Sequence, residues 1–134
     1  MPKFYITLLA ITLLAVGFVT MLVMRTQIFQ NDIKIFNKEF EAFNRKRILG
    51  TELVSAINKV MNHNEKYKEE PEKQIELTVR LVDFGEDITI NMERIYELGV
   101  TNFTLYYGKN EFHCKNIEYD NNTGKVCKLE FESN

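Results

Sequence analysis

The sequence predicts an α+β protein. A long N-terminal helix is membrane-embedded in its first half and amphipathic in its second. A short helix packs with it on a roughly four-stranded antiparallel meander. Three observations carry this reading. Phe4–Met24 ("FYITLLAITLLAVGFVTMLVM") contains no charge, no Asn or Gln and no Pro. The next segment, "QIFQNDIKIFNKEFEAFN" (27–44), sets Phe29, Ile33, Phe36, Phe40 and Phe43 at steps of four, three, four and three. From Ile75 onward the apolar period falls to two, and clusters of Asn, Asp and Gly punctuate the pattern.

At roughly 1.5 Å per residue Phe4–Met24 reaches about 30 Å, the thickness of a bilayer's hydrocarbon layer. Thr7, Thr12 and Thr20 can return their hydroxyls to the helix backbone, and Gly17 is tolerated in such a span. The run is longer than the apolar core of a cleaved secretory signal, and no A-x-A site follows it before Arg25. Residues 1–24 are therefore read as an uncleaved anchor that meets the lipid bilayer through residues 4–24. Residues 25–134 are read as the amphipathic helix and an α+β soluble domain.

The phenylalanine stripe has a 3.5-residue period and is widened by Ile28 and Ile35. Asn31, Asp32, Lys34, Lys38, Glu39 and Glu41 fill the other faces. With no Pro or Gly between residues 18 and 49, one helix of about 45 residues is the simplest continuation. Such a stripe either covers the chain's own sheet or zips into an oligomeric coil. Phe at four of five seam positions is bulky for a two-stranded coil, which favours the sheet. Gly50 then reads as a C-terminal cap and Thr51 as the next N-cap. Leu53, Val54, Ile57, Val60 and Met61 form the apolar face of a second helix. "NEKYKEEPEKQ" (64–74), charged and holding Pro71, reads as a solvated loop.

Ile75, Leu77, Val79 and Leu81 alternate with Glu76, Thr78 and Arg80, which is a strand with one buried face. Phe84-Gly85-Glu86-Asp87 turns the chain, and Ile88 and Ile90 begin a short extended piece. "NMERIYELG" reads as a brief helix capped by Asn91 and stopped at Gly99. Three further strands are expected at Val100–Tyr107, Glu111–Tyr119 and Lys125–Glu132. Gly108–Asn110 and Asp120–Gly124 are expected as hairpin turns between them.

Few residues nominate chemistry. Cys114 and Cys127 fall in the last hairpin. A disulfide directly across it needs a register with residue numbers summing to 241. The stronger turn signal at Asn122-Thr123-Gly124 shifts that register and carries the sulfurs beyond the roughly 7 Å Cα limit. Both alternatives, a disulfide and two buried free thiols, stay open at this point. His113 adjoins Cys114, yet strand neighbours point to opposite faces, which argues against a dyad. His63, His113 and the cysteines lack zinc-ligand spacing. "DNNTG" resembles half of a calcium loop, but Lys125 and Phe131 stand where that signature needs Gly and Glu, so a turn is the better reading. No cofactor or metal is expected, and the chain is read as non-enzymatic.

All nineteen acidic residues lie after the apolar run, as do all basic ones except Lys3, so residues 25–134 carry a net charge of −3. No basic field exists to attract nucleic acid. Arg25, Lys34 and Lys38 on one side of the run favour a cytoplasmic domain. The short N-terminal tail before a signal anchor favours an extracytoplasmic one, which is the expectation adopted.

The layout of Phe4–Met24 followed by the Phe29–Phe43 stripe and the alternating strands resembles type IV pilins and pilin-like proteins. In that family a long N-terminal helix is membrane-embedded in its first half and packs its second half on an antiparallel sheet. The resemblance implies the same use of the stripe here. Pilins also pair a Glu near the start of the apolar run with a neighbour's amino terminus, and Phe4–Met24 has no Glu. Separately, "GTELVSAINKV", "INMERIYELG" and "FHCKNIEYDNNTGKV" are similar to small single-span proteins of low-GC Gram-positive bacteria. That similarity implies a bacterial source and a membrane anchor.

The functional expectation is a single-pass structural or interaction protein of the cell membrane, pilin-like or accessory to an envelope assembly or secretion system. Protein partners or self-association would use Phe29, Ile33, Phe36, Phe40 and Phe43. The alternative is a regulatory or adaptor subunit with a cytoplasmic domain.

Overall fold

Residues 2–44, 46–83 and 85–133 are described by the computed structural model. Helix α1 (Pro2–Glu41) runs unbroken through the apolar segment and into the phenylalanine stripe. It stops at Glu41, short of the expected continuation to residue 49. Phe43 and Asn44 donate to the carbonyls of Phe40 and Glu41 at 3.2 and 3.0 Å, which tightens the last turn. The chain divides into two compact units, Met1–Ile35 and Phe36–Asn134. Ile35 is 65% exposed, whereas Phe36 packs against the core of the second unit.

That second unit is α+β, with helices packed on a five-stranded mixed sheet in the order β1-β4-β5-β2-β3. The strands are β1 (Arg47–Leu49), β2 (Glu76–Asp83), β3 (Glu86–Asn91), β4 (Glu111–Tyr119) and β5 (Val126–Ser133). The helices are α2 (Gly50–Lys66), α3 (Met92–Leu98) and α4 (Val100–Tyr107). The expected four-stranded meander is corrected on two counts. Arg47–Leu49 adds an edge strand, with Ile48 buried and its two neighbours outward. In addition β5 lies parallel to β2, with Leu77 opposite Leu129 and Val79 opposite Phe131. This non-local pairing buries both apolar rows against the same helices, which a hairpin-by-hairpin reading cannot anticipate.

Val100–Tyr107 is a helix, not a strand. Phe103 is fully buried, and Val100 and Tyr107 pack partly against the core. The spacing of 100, 103 and 107 is helical. The β-branched and aromatic composition of "VTNFTLYY" had favoured a strand, but burial of that face decides. Thr104 returns its hydroxyl to the Val100 carbonyl at 2.9 Å, and Asn102 bonds the Leu98 carbonyl at 2.8 Å. Gly99, at φ +83°, makes the corner between α3 and α4. Gly108–Asn110 consequently joins a helix to a strand and is not a hairpin turn. Gly50 begins α2 and does not cap α1, and Leu49, not Thr51, stands at the N-cap.

Other expectations hold. The strand from Ile75 is β2, and Asn91 caps α3 by accepting from the Arg94 amide at 3.0 Å. The β2–β3 hairpin closes on the pair Asp83 and Glu86. Glu86 and Asp87 therefore belong to β3, and Phe84 of the expected turn lies outside the described residues. At the β4–β5 turn Asp120 Oδ1 accepts from the Asn122 and Thr123 amides at 2.7 and 2.9 Å. Those bonds hold its carboxyl below its ordinary range.

The principal cover of the sheet is α2, whose Leu53, Ala56, Ile57 and Val60 are fully buried with Leu77, Val79, Leu81, Phe112, Leu129 and Phe131. The segment read as a solvated loop starts inside this helix. Asn64 is 8% exposed, donates to the Ile75 carbonyl at 2.9 Å and accepts from the Ile75 amide at 2.8 Å. Its amide thus stands in for a strand partner at the start of β2. Asn64→Ala should cost about 2 kcal/mol by orphaning two buried backbone groups. The same change at exposed Asn62 should cost under about 0.5 kcal/mol. Urea unfolding followed by tyrosine fluorescence, in a chain without Trp, measures both.

Candidate functional site

The apolar half of α1 is the most distinctive feature of the molecule. Its most apolar 18-residue window has a mean hydropathy of 2.6 and none of it is buried. Leu14 is 74% exposed and Phe18 65%, and apolar side chains cover the whole circumference. A helix apolar all round belongs in a core or in lipid, and among the described residues none of this window is buried. Thr7, Thr12 and Thr20 donate to the carbonyls of Lys3, Leu8 and Val16 at 2.8–2.9 Å, so their hydroxyls are satisfied within the helix. This one helix, near the N-terminus, is long and apolar enough to cross a membrane.

The phenylalanine stripe divides at the unit boundary. Phe40 is 2% exposed, and Phe36 and Phe43 are half-buried against the core. Phe43 meets Phe131 edge-on at 6.3 Å, while Phe36 lies 5.3 Å from the Phe40 ring and 5.2 Å from His63. Phe29 is 56% exposed, with Ile28 and Ile35 exposed beside it, and Ile33 is half-buried.

Sequence reading missed what fixes this end of α1. Asn37, 8% exposed, donates to the Gly124 carbonyl at 2.9 Å and accepts from the Val126 amide at 2.8 Å. A parallel strand would make the same pair of bonds around Lys125. The signal available was spacing: Asn37 and Asn64 both sit on the apolar rows of their helices. Tyr119 donates to Glu41 at 2.7 Å, a bond that, with partial burial, pushes its phenol up to about 12. Lys125 lies over the Phe36 ring at 5.3 Å.

Both cysteines are free. The turn decides it. Asp120 bonds Lys125 and Tyr119 pairs with Val126, a register that sets Cys114 opposite Phe131. Two bulges shift it by one residue and back. Cys114 pairs with Phe131, Lys115 is skipped, and Cys127 is skipped between Lys128 and Val126. The register that a disulfide requires is not formed. Burial pushes the Cys114 thiol up to about 11 and raises Cys127 more modestly. The Cys114 proton is thus retained well above pH 8, where only a thiolate would be alkylated. In the folded chain at pH 8 iodoacetamide should label Cys127 at least tenfold faster than Cys114, and both should label in urea, as peptide mass spectrometry would read.

The two histidines lie in different places. His63 Nε2 donates to the Lys73 carbonyl at 2.8 Å between the rings of Phe36 and Tyr67. His113 sits half-buried on β4, opposite Arg47 and Glu132, while Cys114 turns into the core. Among the described residues no three His, Cys, Asp or Glu side chains are grouped to hold a metal.

An open groove of about 1240 Å³ runs between the end of α2, the start of β2 and α3. Ile75, Leu77 and Met92 form its floor. Six glutamates, including Glu72, Glu76, Glu93 and Glu118, line it with two lysines, Lys68 and Lys128. Among the described residues every buried side-chain nitrogen and oxygen has a partner, so no orphaned group is aimed into the groove. No protein-family model, curated protein or solved structure matches this chain.

Proposed function

We propose that the chain is a single-pass membrane protein with a structural or interaction role, a pilin-like or accessory component of a bacterial envelope assembly. Residues 4–24 lie in the bilayer and the unit from Phe36 onward lies outside the cytoplasm. The role is non-catalytic. The observation that carries this reading is the uncharged run Phe4–Met24 of α1, long and apolar enough to cross a membrane and exposed among the described residues. Ile28, Phe29 and Ile35 are the exposed members of the stripe and its flanking row, and they are left for protein partners.

A second reading rests on the basic residues Arg25, Lys34 and Lys38 following the apolar run, against Lys3 before it. Excess positive charge favours the cytoplasmic side, which would make the unit a cytoplasmic adaptor. Protease added to intact protoplasts separates the two. Loss of an epitope at the C-terminus supports the extracytoplasmic placement. Its survival until lysis overturns that placement in favour of the adaptor.

A further inference from the structure

Helix α1 carries a second stripe, about 120° round the helix from the phenylalanine one. Ile28, Asn31 and Ile35 stand on it at steps of three and four, and all three are exposed. The same steps carried back along the helix meet Met24, Met21, Gly17, Leu14 and Ala10. Steps of three and four repeated without a break make the heptad seam of a left-handed helix pair, in lipid as in water. Ala10 to Ile35 lie in the first compact unit, and every residue of the seam is exposed.

The residue types suit two parallel helices. Ile28 and Ile35 take the a positions, where β-branched side chains favour two strands. Ala10 and Gly17 take d positions inside the apolar run, where small residues let backbones approach. Among the described residues nothing lies within 4 Å of a methyl group added at Gly17, so packing within the chain does not require a glycine there.

Symmetry and charge say what covers the seam. Copies inserted in one membrane run the same way at the same depth, so each seam position meets its own counterpart. Asn31 then faces Asn31 of the second copy, and each amide can donate to and accept from the other. A slip of one heptad would set Asn31 against Met24 or Lys38, so this polar residue fixes the register. In that register each g position faces the e position five residues further along the other helix. Lys34 is at g and Glu39 at e, both exposed on the continuous helix α1. The two-fold axis makes that ion pair twice. Lys38, next on the seam after Ile35, ends its apolar part.

We propose that the protein forms a parallel dimer with a second copy of itself through the seam that ends in Ile28, Asn31 and Ile35. The contact is isologous and closed, so association stops at two. It rests on residues 4–24 lying in the bilayer, which gives the copies their common direction, and it holds for either side of the membrane. The phenylalanine stripe takes no part in it.

The test uses the full chain in isolated membranes of cells that express two differently epitope-tagged copies, with Cys127→Ser to remove the more accessible thiol. Single cysteines go on the seam, as Ile28→Cys or Ile35→Cys, or on the far side of the helix, as Thr26→Cys or Gln30→Cys. Mild oxidation should cross-link the seam cysteines about tenfold faster than the far-side ones, because only a and d positions meet across the axis. The product should be a dimer that carries both epitopes, with no longer species. Glu39→Lys added to Ile28→Cys should slow cross-linking about fivefold, and Lys34→Glu added to that should restore it. Asn31→Asp, isosteric and exposed, sets two carboxylates face to face and should slow it as well at pH 8. Equal rates on the two sides, a ladder of longer species, a product that pairs one epitope with a foreign chain, or either substitution without effect would overturn the proposal. Carbonate extraction of the same membranes separates this failure from that of the span. A chain that stays in the pellet and gives no dimer overturns the dimer alone, whereas a chain released by carbonate overturns both.

Discussion

Phe40→Ala should destabilise the folded unit by about 3–5 kcal/mol, whereas Phe29→Ala, eleven positions earlier on the same stripe, should cost under about 0.5 kcal/mol. The two residues are alike in chemistry and helical phase. They differ in burial, 2% exposed against 56%. Removing the Phe40 ring leaves a void among Phe36, Phe43 and the sheet, and it loosens the segment whose Asn37 bonds the Gly124 and Val126 backbone. Lost burial of the ring and the void it leaves both add to the size of the effect. Urea unfolding of the full chain in detergent micelles, read by tyrosine fluorescence, would show the contrast as a large fall in midpoint for one variant alone.

Gly50→Ala should cost about 3 kcal/mol for a different reason. A Cβ at Gly50 would overlap the Tyr107 carbonyl oxygen and lie 2.9 Å from Gly108 Cα. These are backbone atoms and cannot rotate away. The same junction is tied by the Gly50 amide to the Asn110 carbonyl at 2.8 Å and by Thr51 to Gly108 at 3.1 Å. The start of α2 and the end of α4 must therefore separate, which strains the β1–β4 pairing next to them. Gly17→Ala, with nothing within 4 Å of the added methyl, should leave the urea midpoint unchanged.

Much of this architecture was legible in the residues. The apolar run, the alternation of Ile75–Leu81, the Asn91 cap and the Asp120–Gly124 turn each express a local rule, and each formed where expected. What escaped was decided by contacts distant in sequence. Three residues, Arg47–Leu49, are too few to display an alternation, and only pairing with Glu111–His113 makes them a strand. Val100–Tyr107 combines strand-like composition with helical spacing, and burial of Phe103 resolves the conflict. The parallel contact of β2 with β5 joins segments some fifty residues apart and has no local signature.

The interaction residues show the same limit. The stripe Phe29, Ile33, Phe36, Phe40, Phe43 was visible as a period, but a period does not say which of its members are buried. Asn37, which bonds the Gly124 and Val126 backbone, went unseen because one buried asparagine among many exposed ones gives little warning. The cysteine question turned on the Asp120–Gly124 turn, whose register places Cys114 opposite Phe131, as the Asn122-Thr123-Gly124 signal indicated; the bulges at Lys115 and Cys127 shift it by one residue and back.

Extraction of isolated membranes with alkaline carbonate tests most directly whether Phe4–Met24 lies in lipid. The wild-type chain should remain in the membrane pellet and leave it only with detergent. Leu14→Arg combined with Val16→Arg places two charges at the centre of the run, each costing about 2.5–3.5 kcal/mol in a helix at mid-bilayer, and should move the chain into the carbonate supernatant. Release of the wild-type chain by carbonate, or equal retention of the doubly charged variant, would contradict a spanning helix.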